Sequence, residues 1–287
     1  MSMTSVTYTA SDGTVYNLMA SMAMRLKTAN FHQSDWKATT TSRKYGVRVN
    51  GWNKEAKSFN MSILFRGTRA RRVSALNRFH SSIDRDIIYN TPGVLAWGDW
   101  HITAFIYSTS TYPSDKEDLE TINDVTVLCP SPFWVSEQTV IVDPAGDTSL
   151  RPTDIQFNPS YAYPYSYQRS AEYPRIYIDH YAPCDFRVKI YGPVSSVHLQ
   201  IGNADLSVSK AVPAGAYMII DTREHLKPEE HCYMVFGSTV TNCFNDRDPS
   251  VSLLEKLEPG FARIRYDRTT RLELTIFKER SEPEWTA

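Results

Sequence analysis

The sequence predicts a mainly β protein made of two β-sandwich domains, the first of which carries one α-helix. Three observations predict it. Short apolar–polar alternations recur along the chain, as in Phe59, Met61, Ile63 and Phe65 against Asn60, Ser62 and Arg66, or Phe186, Val188 and Ile190 against Arg187 and Lys189. A period of two marks strands with one buried face. The first half contains a single strong change to helical period, from Thr68 to Tyr89. Between Asp143 and Pro174, finally, prolines at 144, 152, 159, 164 and 174 interrupt every pattern. The 287 residues fit one large or two ordinary domains, and a hydrophobic content of 41% is enough to build a core in each.

The first half opens with Val15 to Leu26, which reads as one or two strands. Asn30 to Phe65 reads as a core strand pair with Trp36 and Trp52 at its ends. Tyr45, Val47 and Val49 form its first apolar face, Asn50-Gly51 and Asn53 its turn, and Phe59 to Phe65 its second strand. Thr68 is a fair N-cap. Val73, Leu76, His80, Ile83 and Ile87 then fall on one helical stripe, with Arg69, Arg71, Arg72, Arg78 and Asp84 off it. Thr91-Pro92-Gly93 stops the helix. Val94 to Trp97 and Trp100 to Thr109 form a hairpin around Gly98-Asp99, and Ile122 to Leu128 adds a strand. The first domain is thus assigned to residues 1–142, with its helix at 68–89.

Residues 143–174 read as a semi-rigid connector, because proline removes ladder donors and fixes φ. Tyr163, Tyr165 and Tyr167 within it are candidates for stacking against a sugar, or for pinning the connector to its own domain. Residues 175–287 read as a second domain of short strands, spaced at roughly ten residues and separated by Gly/Pro turns such as Gly192-Pro193 and Pro259-Gly260. That spacing is the signature of a sandwich or jelly roll.

The chemistry-bearing residues form no catalytic constellation. There is no G-x-S-x-G elbow, H-E-x-x-H helix or phosphate-binding loop. His180-x-x-x-Cys184 and the His225/His231 pair have ligand-like spacing, but nothing completes a four-ligand set, and neither a metal nor a cofactor is expected. Cys129, Cys184, Cys232 and Cys243 read as free core thiols, with a Cys232–Cys243 bridge across a hairpin as the alternative. Thirty-one basic against thirty-two acidic residues give a formal charge of −1, which leaves no electrostatic footprint for nucleic acid or membrane. The first ten residues lack a secretory pattern, and no apolar run spans a bilayer. These absences favour a structural or binding protein over an enzyme.

The ordered series of short motifs resembles the distal tail (Dit) protein family of long-tailed, siphovirus-type bacteriophages. Carrying it are Ala29-Asn-Phe-His32 with Trp36, Gly46-Val-Arg-Val-Asn50, Leu64-Phe-Arg-Gly67, Leu76-Asn-Arg-Phe-His80, Trp97-Gly-Asp-Trp100 and Pro130 to Trp134. The Tyr-Pro-Tyr connector, Ile190-Tyr-Gly-Pro193, Ala214 to Thr222, Asn242-Cys-Phe244 and Glu279 to Trp285 continue it. The series covers nearly the whole chain. It departs from the family at Gly215-Ala216, where Gly-Glu is common.

The resemblance implies a ring-forming N-terminal domain, six copies of which make a baseplate hub, and a galectin-like C-terminal domain on the periphery. The ring would join the tail tube protein to the tail-tip protein at the distal end of the virion tail, and its lumen would pass DNA. The outer domain would dock receptor-binding or baseplate proteins. Synthesis in the bacterial host cytoplasm follows, with no membrane partner and no specific nucleic-acid binding. Arg69, Arg71, Arg72 and Arg78 are the candidate assembly residues, since ring protomers need complementary heterologous faces. The alternative is a carbohydrate-binding adhesin acting through the second sandwich.

Overall fold

The computed structural model describes residues 5–19, 23–114, 119–144, 173–267 and 269–284. Contacts divide the chain into two compact units, Met1–Ser136 with Glu279–Ala287, and Glu137–Lys278.

The first unit contains β1 (Val6–Thr9), β2 (Val15–Asn17), β3 (Met24–Ala29), β4 (Lys37–Ser42), β5 (Val47–Asn53), β6 (Lys57–Arg66), α1 (Arg69–Ile88), β7 (Gly93–Trp97), β8 (Trp100–Pro113), β9 (Glu120–Cys129) and the start of β10 (Trp134–Val142). One antiparallel layer runs β2-β1-β7-β8-β10 and the other β3-β6-β9-β8. The long β8 serves both, with a bulge between Ile106 and Ser108 where it turns from one partner to the other. Side chains alternate into the space between the layers. On β6, Phe59, Met61, Ile63 and Phe65 are all at most 4% exposed, as the period-two pattern predicts. Trp134 and Phe31 pack edge to face at 5.7 Å between ring centroids and close one end of this core. Phe79 of α1, fully buried, closes the other against Tyr16 at 5.2 Å.

The helix is where the sequence places it, from the N-cap Thr68 to Tyr89, but it is rotated by one position. Its buried residues are Arg72, Phe79, Ser82, Ile83 and Asp86. Val73 and Ile87, expected on the apolar stripe, are 48% and 43% exposed. Phe79 sets this rotation together with Asp86, whose Oδ2 accepts the Tyr8 hydroxyl at 2.5 Å and whose Oδ1 accepts the Ser11 amide at 2.9 Å. A fully buried carboxylate is tolerated because its hydrogen bonds are made.

The largest correction concerns β4 and β5. They form an isolated two-stranded hairpin, whereas the expected core pair joins β5 to β6; of that pair only β6 lies in the core. Every residue of β4 is exposed, and β5 is exposed except for half-buried Gly51. The turn lies at Arg43–Gly46, where the Arg43 amide donates to the Gly46 carbonyl and Gly46 takes φ +75°. Asn50-Gly51, expected as the turn, sits inside β5 opposite a register shift between Thr39 and Thr40. Glycine within a strand marks such a bulge as readily as it marks a turn.

The second unit contains the rest of β10, then β11 (Arg175–Ile178), β12 (Asp185–Tyr191), β13 (Val197–Ile201), β14 (Ala204–Val208), β15 (Tyr217–Asp221), the single turn α2 (Pro228–His231), β16 (Cys232–Phe236), β17 (Thr239–Asn242), β18 (Gly260–Arg265) and most of β19 (Leu272–Arg280). One layer runs β17-β16-β15-β12-β19-β10, the other β11-β18-β13-β14. Phe186, Val188, Met218, Ile220, Leu206 and Ile276 fill the space between them, each with no exposure. The four cysteines are free and buried. Burial pushes the thiols of Cys129 and Cys232 up to about 12, which keeps them protonated and inert.

Candidate functional site

The arginines of α1 separate into two kinds. Arg69, Arg71 and Arg78 are exposed, while Arg72 is only 7% exposed. Arg72 follows from the rotation of the helix, which carries position 72 onto the buried stripe with Phe79 and Asp86. A partner protein can thus reach three of the four. Beside them α1 exposes Val73, Ile87, Ile88 (76%) and Tyr89 (70%), an apolar edge on an otherwise charged helix. Side chains of this size gathered on one element mark a contact surface more often than isolated exposed leucines do.

The hairpin is the second exposed apolar feature of this unit. Tyr45 is 84% exposed, Val47 60%, Val49 47% and Trp52 63%. Its root is better supported. The Lys54 ammonium lies 5.1 Å from the Trp36 ring centroid and 5.3 Å from that of Phe133. Lys57, nearly buried, donates to the Phe31 carbonyl at 2.9 Å, and burial lowers its pKa. A two-stranded ribbon is marginal alone in water, and among the described residues this one is covered by nothing in its own chain beyond its root.

An open groove of about 580 Å³ lies over β3, β6 and β9, with Leu26, Leu64 and Ile122 as its floor and Arg25, Lys27 and Arg66 on its rim. Arg66 Nε stands 3.0 Å from Glu120 Oε1 but lacks hydrogen-bond alignment, so the pair is a charge contact only. At its edge the Ser114 hydroxyl donates to the Glu120 backbone carbonyl at 3.5 Å. Among the described residues, no group of three or more His, Cys, Asp or Glu side chains is placed to hold a metal.

In the second unit several buried polar groups are occupied structurally, while Gln138 Oε1 and His180 Nε2 are buried without a hydrogen-bond partner among the described residues. Asp185 accepts the Thr222 hydroxyl at 2.9 Å and lies 3.1 Å from Lys256 Nζ. Arg223 forks onto Asp221 at 3.0 and 2.8 Å and lies over the Phe277 ring. His180 Nδ1 lies 3.0 Å from the Ala182 carbonyl within its own turn, and the Cys184 thiol donates to the same carbonyl at 3.5 Å. The connector tyrosines Tyr163, Tyr165 and Tyr167 lie outside the described residues. The structure shows instead an exposed aromatic pair that sequence reasoning missed, Tyr177 on β11 and Phe261 on β18. Their rings are 4.9 Å apart and 50% and 71% exposed. Each sits in a clean alternation, but only the β11–β18 register, unreadable from one sequence, brings them together.

No family model and no curated protein matches the chain. Solved structures do. The chain is similar to a protein of the phage P2 baseplate in its activated conformation with calcium, at TM-score 0.66 and 10% identity, over 98% of this chain and 99% of that one. The strontium form of the same baseplate gives 0.65, 10%, 98% and 99%. The SPP1 Dit protein, described as a paradigm of the hub adsorption apparatus in phages that infect Gram-positive bacteria, gives 0.58 and 9%, over 96% and 99%. At this identity the likeness establishes the fold. It is the fold that the series of sequence motifs leads one to expect, shared over nearly the full length of each chain.

Proposed function

We propose that the chain is a structural, non-enzymatic component of a phage tail tip, a hub that joins the tail tube to the adsorption apparatus. The observation that carries this reading is full-length likeness to baseplate and hub proteins, with both units included. Two-domain coverage at this level is hard to obtain from a shared sandwich alone, although fold by itself does not dictate function. The SPP1 relative's description as a hub supplies the role. In this reading residues 1–142 form a homohexameric ring through heterologous contacts. Residues 143–174 connect, and residues 175–287 face outward toward receptor-binding or baseplate proteins.

Exposed Arg69, Arg71 and Arg78, the apolar edge of α1 and the β4–β5 hairpin are the surfaces available for ring and tail contacts. The near-neutral charge suits a lumen through which DNA passes, because each phosphate neutralised would add unwanted affinity. The protein would reside at the distal end of the virion tail.

Light scattering on the purified chain, followed by negative-stain imaging, tests the reading. A mass of six chains and a ring with a central hole are expected. A chain that stays monomeric at high concentration and with both the tube and tip proteins added sinks it.

A further inference from the structure

The outward face of the β11-β18-β13-β14 sheet gathers exposed aromatics and cations side by side. Phe261, Arg263 and Arg265 alternate outward along β18, with Ala262 and Ile264 buried beneath. Residues two apart on a strand project about 6–7 Å from one another, so the three form one row. Across the ladder Tyr177 stands directly opposite Phe261, and Arg175 directly opposite Arg263. Like charges placed opposite each other on a sheet face cost stability, and two large aromatics left in water gain none. Arg265 donates to Gln200 Oε1 at 3.1 Å, and no ion pair joins Arg263 or Arg265 among the described residues. Arg265 itself lines a shallow groove of about 340 Å³, together with His198, Gln200, Tyr266 and the carboxylates Asp205 and Asp267.

We propose that this face binds an anionic saccharide, with sugar rings on Tyr177 and Phe261 and the carboxylate or phosphate on Arg263 and Arg265. The aromatic pair offers flat apolar surface for the C–H face of a pyranose. The guanidinium fork matches the two oxygens of a carboxylate or phosphate. The planar polar side chains of the groove, His198, Gln200 and Asp205, are the types that bond adjacent hydroxyls. A polypeptide fits less well, because the aromatic platform is an open sheet face with no concave pocket for an anchoring side chain. The site uses residues of the second unit alone, so it does not depend on ring assembly.

The test is calorimetric titration of the full chain with three probes: a galacturonic acid oligomer, a phosphorylated sugar oligomer, and a neutral glucan oligomer of equal length. A polyglutamate peptide is the polypeptide control. Saturable, salt-sensitive binding of one anionic oligomer is expected, and which one binds identifies the anion. Arg263→Gln and Phe261→Ala should each weaken it by about tenfold or more. Both side chains are exposed, so the variants should melt within about 2 °C of the parent. The proposal is overturned if neither anionic oligomer binds at about 10 mM, if the variants bind as the parent does, if the neutral glucan binds equally well, or if polyglutamate binds more tightly than either sugar.

Discussion

β5 and β6 are neighbours in the chain, both alternate, and both carry aromatic or branched residues on one face. Yet Met61 and Ile63 of β6 are 1% and 0% exposed, whereas Val47 and Val49 of β5 are 60% and 47% exposed. The difference lies in what stands on either side. β6 is paired with β9 along its whole length and with β3 from Met61 to Phe65, and it faces α1 and the opposite layer. β5 has β4 alone. Alternation reports that a segment can present one apolar face as a strand. It does not report whether the cover comes from its own chain.

The sharpest way to break this comparison is in the core. Phe79→Ala removes a fully buried ring that touches Tyr16, Tyr8 and Phe65. The expected loss is about 3–5 kcal/mol in urea unfolding of the first unit. A loss below about 1 kcal/mol would mean that α1 is not seated where its buried stripe places it.

Next in size is the polar anchor of the helix. Asp86→Ala strands the Tyr8 hydroxyl and the Ser11 amide, and about 2–3 kcal/mol should be lost. Burial first, and the Asp86 carboxylate second, hold the Tyr8 phenol well above its ordinary value of 10.0. The sign follows from linkage. The folded chain keeps a proton that the unfolded chain gives up, so this stabilisation is complete below pH 10 and is lost as pH rises beyond it. Tyr8→Phe should therefore flatten the alkaline limb of the stability curve. An unchanged limb would show that another group controls it.

A smaller effect separates the arginines. Arg72→Ala should cost about 1–2 kcal/mol, while Arg69→Ala, Arg71→Ala and Arg78→Ala should stay within about 0.5 kcal/mol. Particle mass should move the other way, falling with the exposed three at unchanged stability. Equal stability losses at all four positions would remove the distinction between buried and exposed members.

These contrasts show what was legible. The limits of α1 and many strand positions were, because period and punctuation are local properties, although β1, β4 and β10 carry too short or too weak an alternation to be read. β6, the Gly98 hairpin and the Thr68 to Tyr89 helix all stand where the residues put them. The helix's facing was not. The stripe at Val73, Leu76, His80, Ile83 and Ile87 and the one actually buried differ by a single position, and a carboxylate at 86 reads as solvent-facing until Tyr8 is known to meet it. The Tyr177–Phe261 pair was hidden for a related reason, since 84 residues of sequence separate two side chains that one register brings together. The chain order of motifs was informative because it integrates many weak local signals, which individual facing assignments do not.

The smallest expected effect on stability is at the hairpin, and there it is the most informative. Trp52→Ala and Val49→Ala remove exposed side chains with no buried core beneath them. Unfolding of the isolated chain should change by no more than about 0.5 kcal/mol. In an assembled particle the same side chains would be covered by a neighbour, so the variants should dissociate it at concentrations where the parent holds together. Stability and assembly should therefore respond oppositely in the two adjacent strands. Substitution in β6 unfolds the protomer and disassembles it only as a consequence, whereas substitution in β5 leaves a folded protomer that no longer associates. If Trp52→Ala lowers protomer stability as much as a β6 substitution does, the hairpin is packed within its own chain, and its apolar face is not a surface held for a partner.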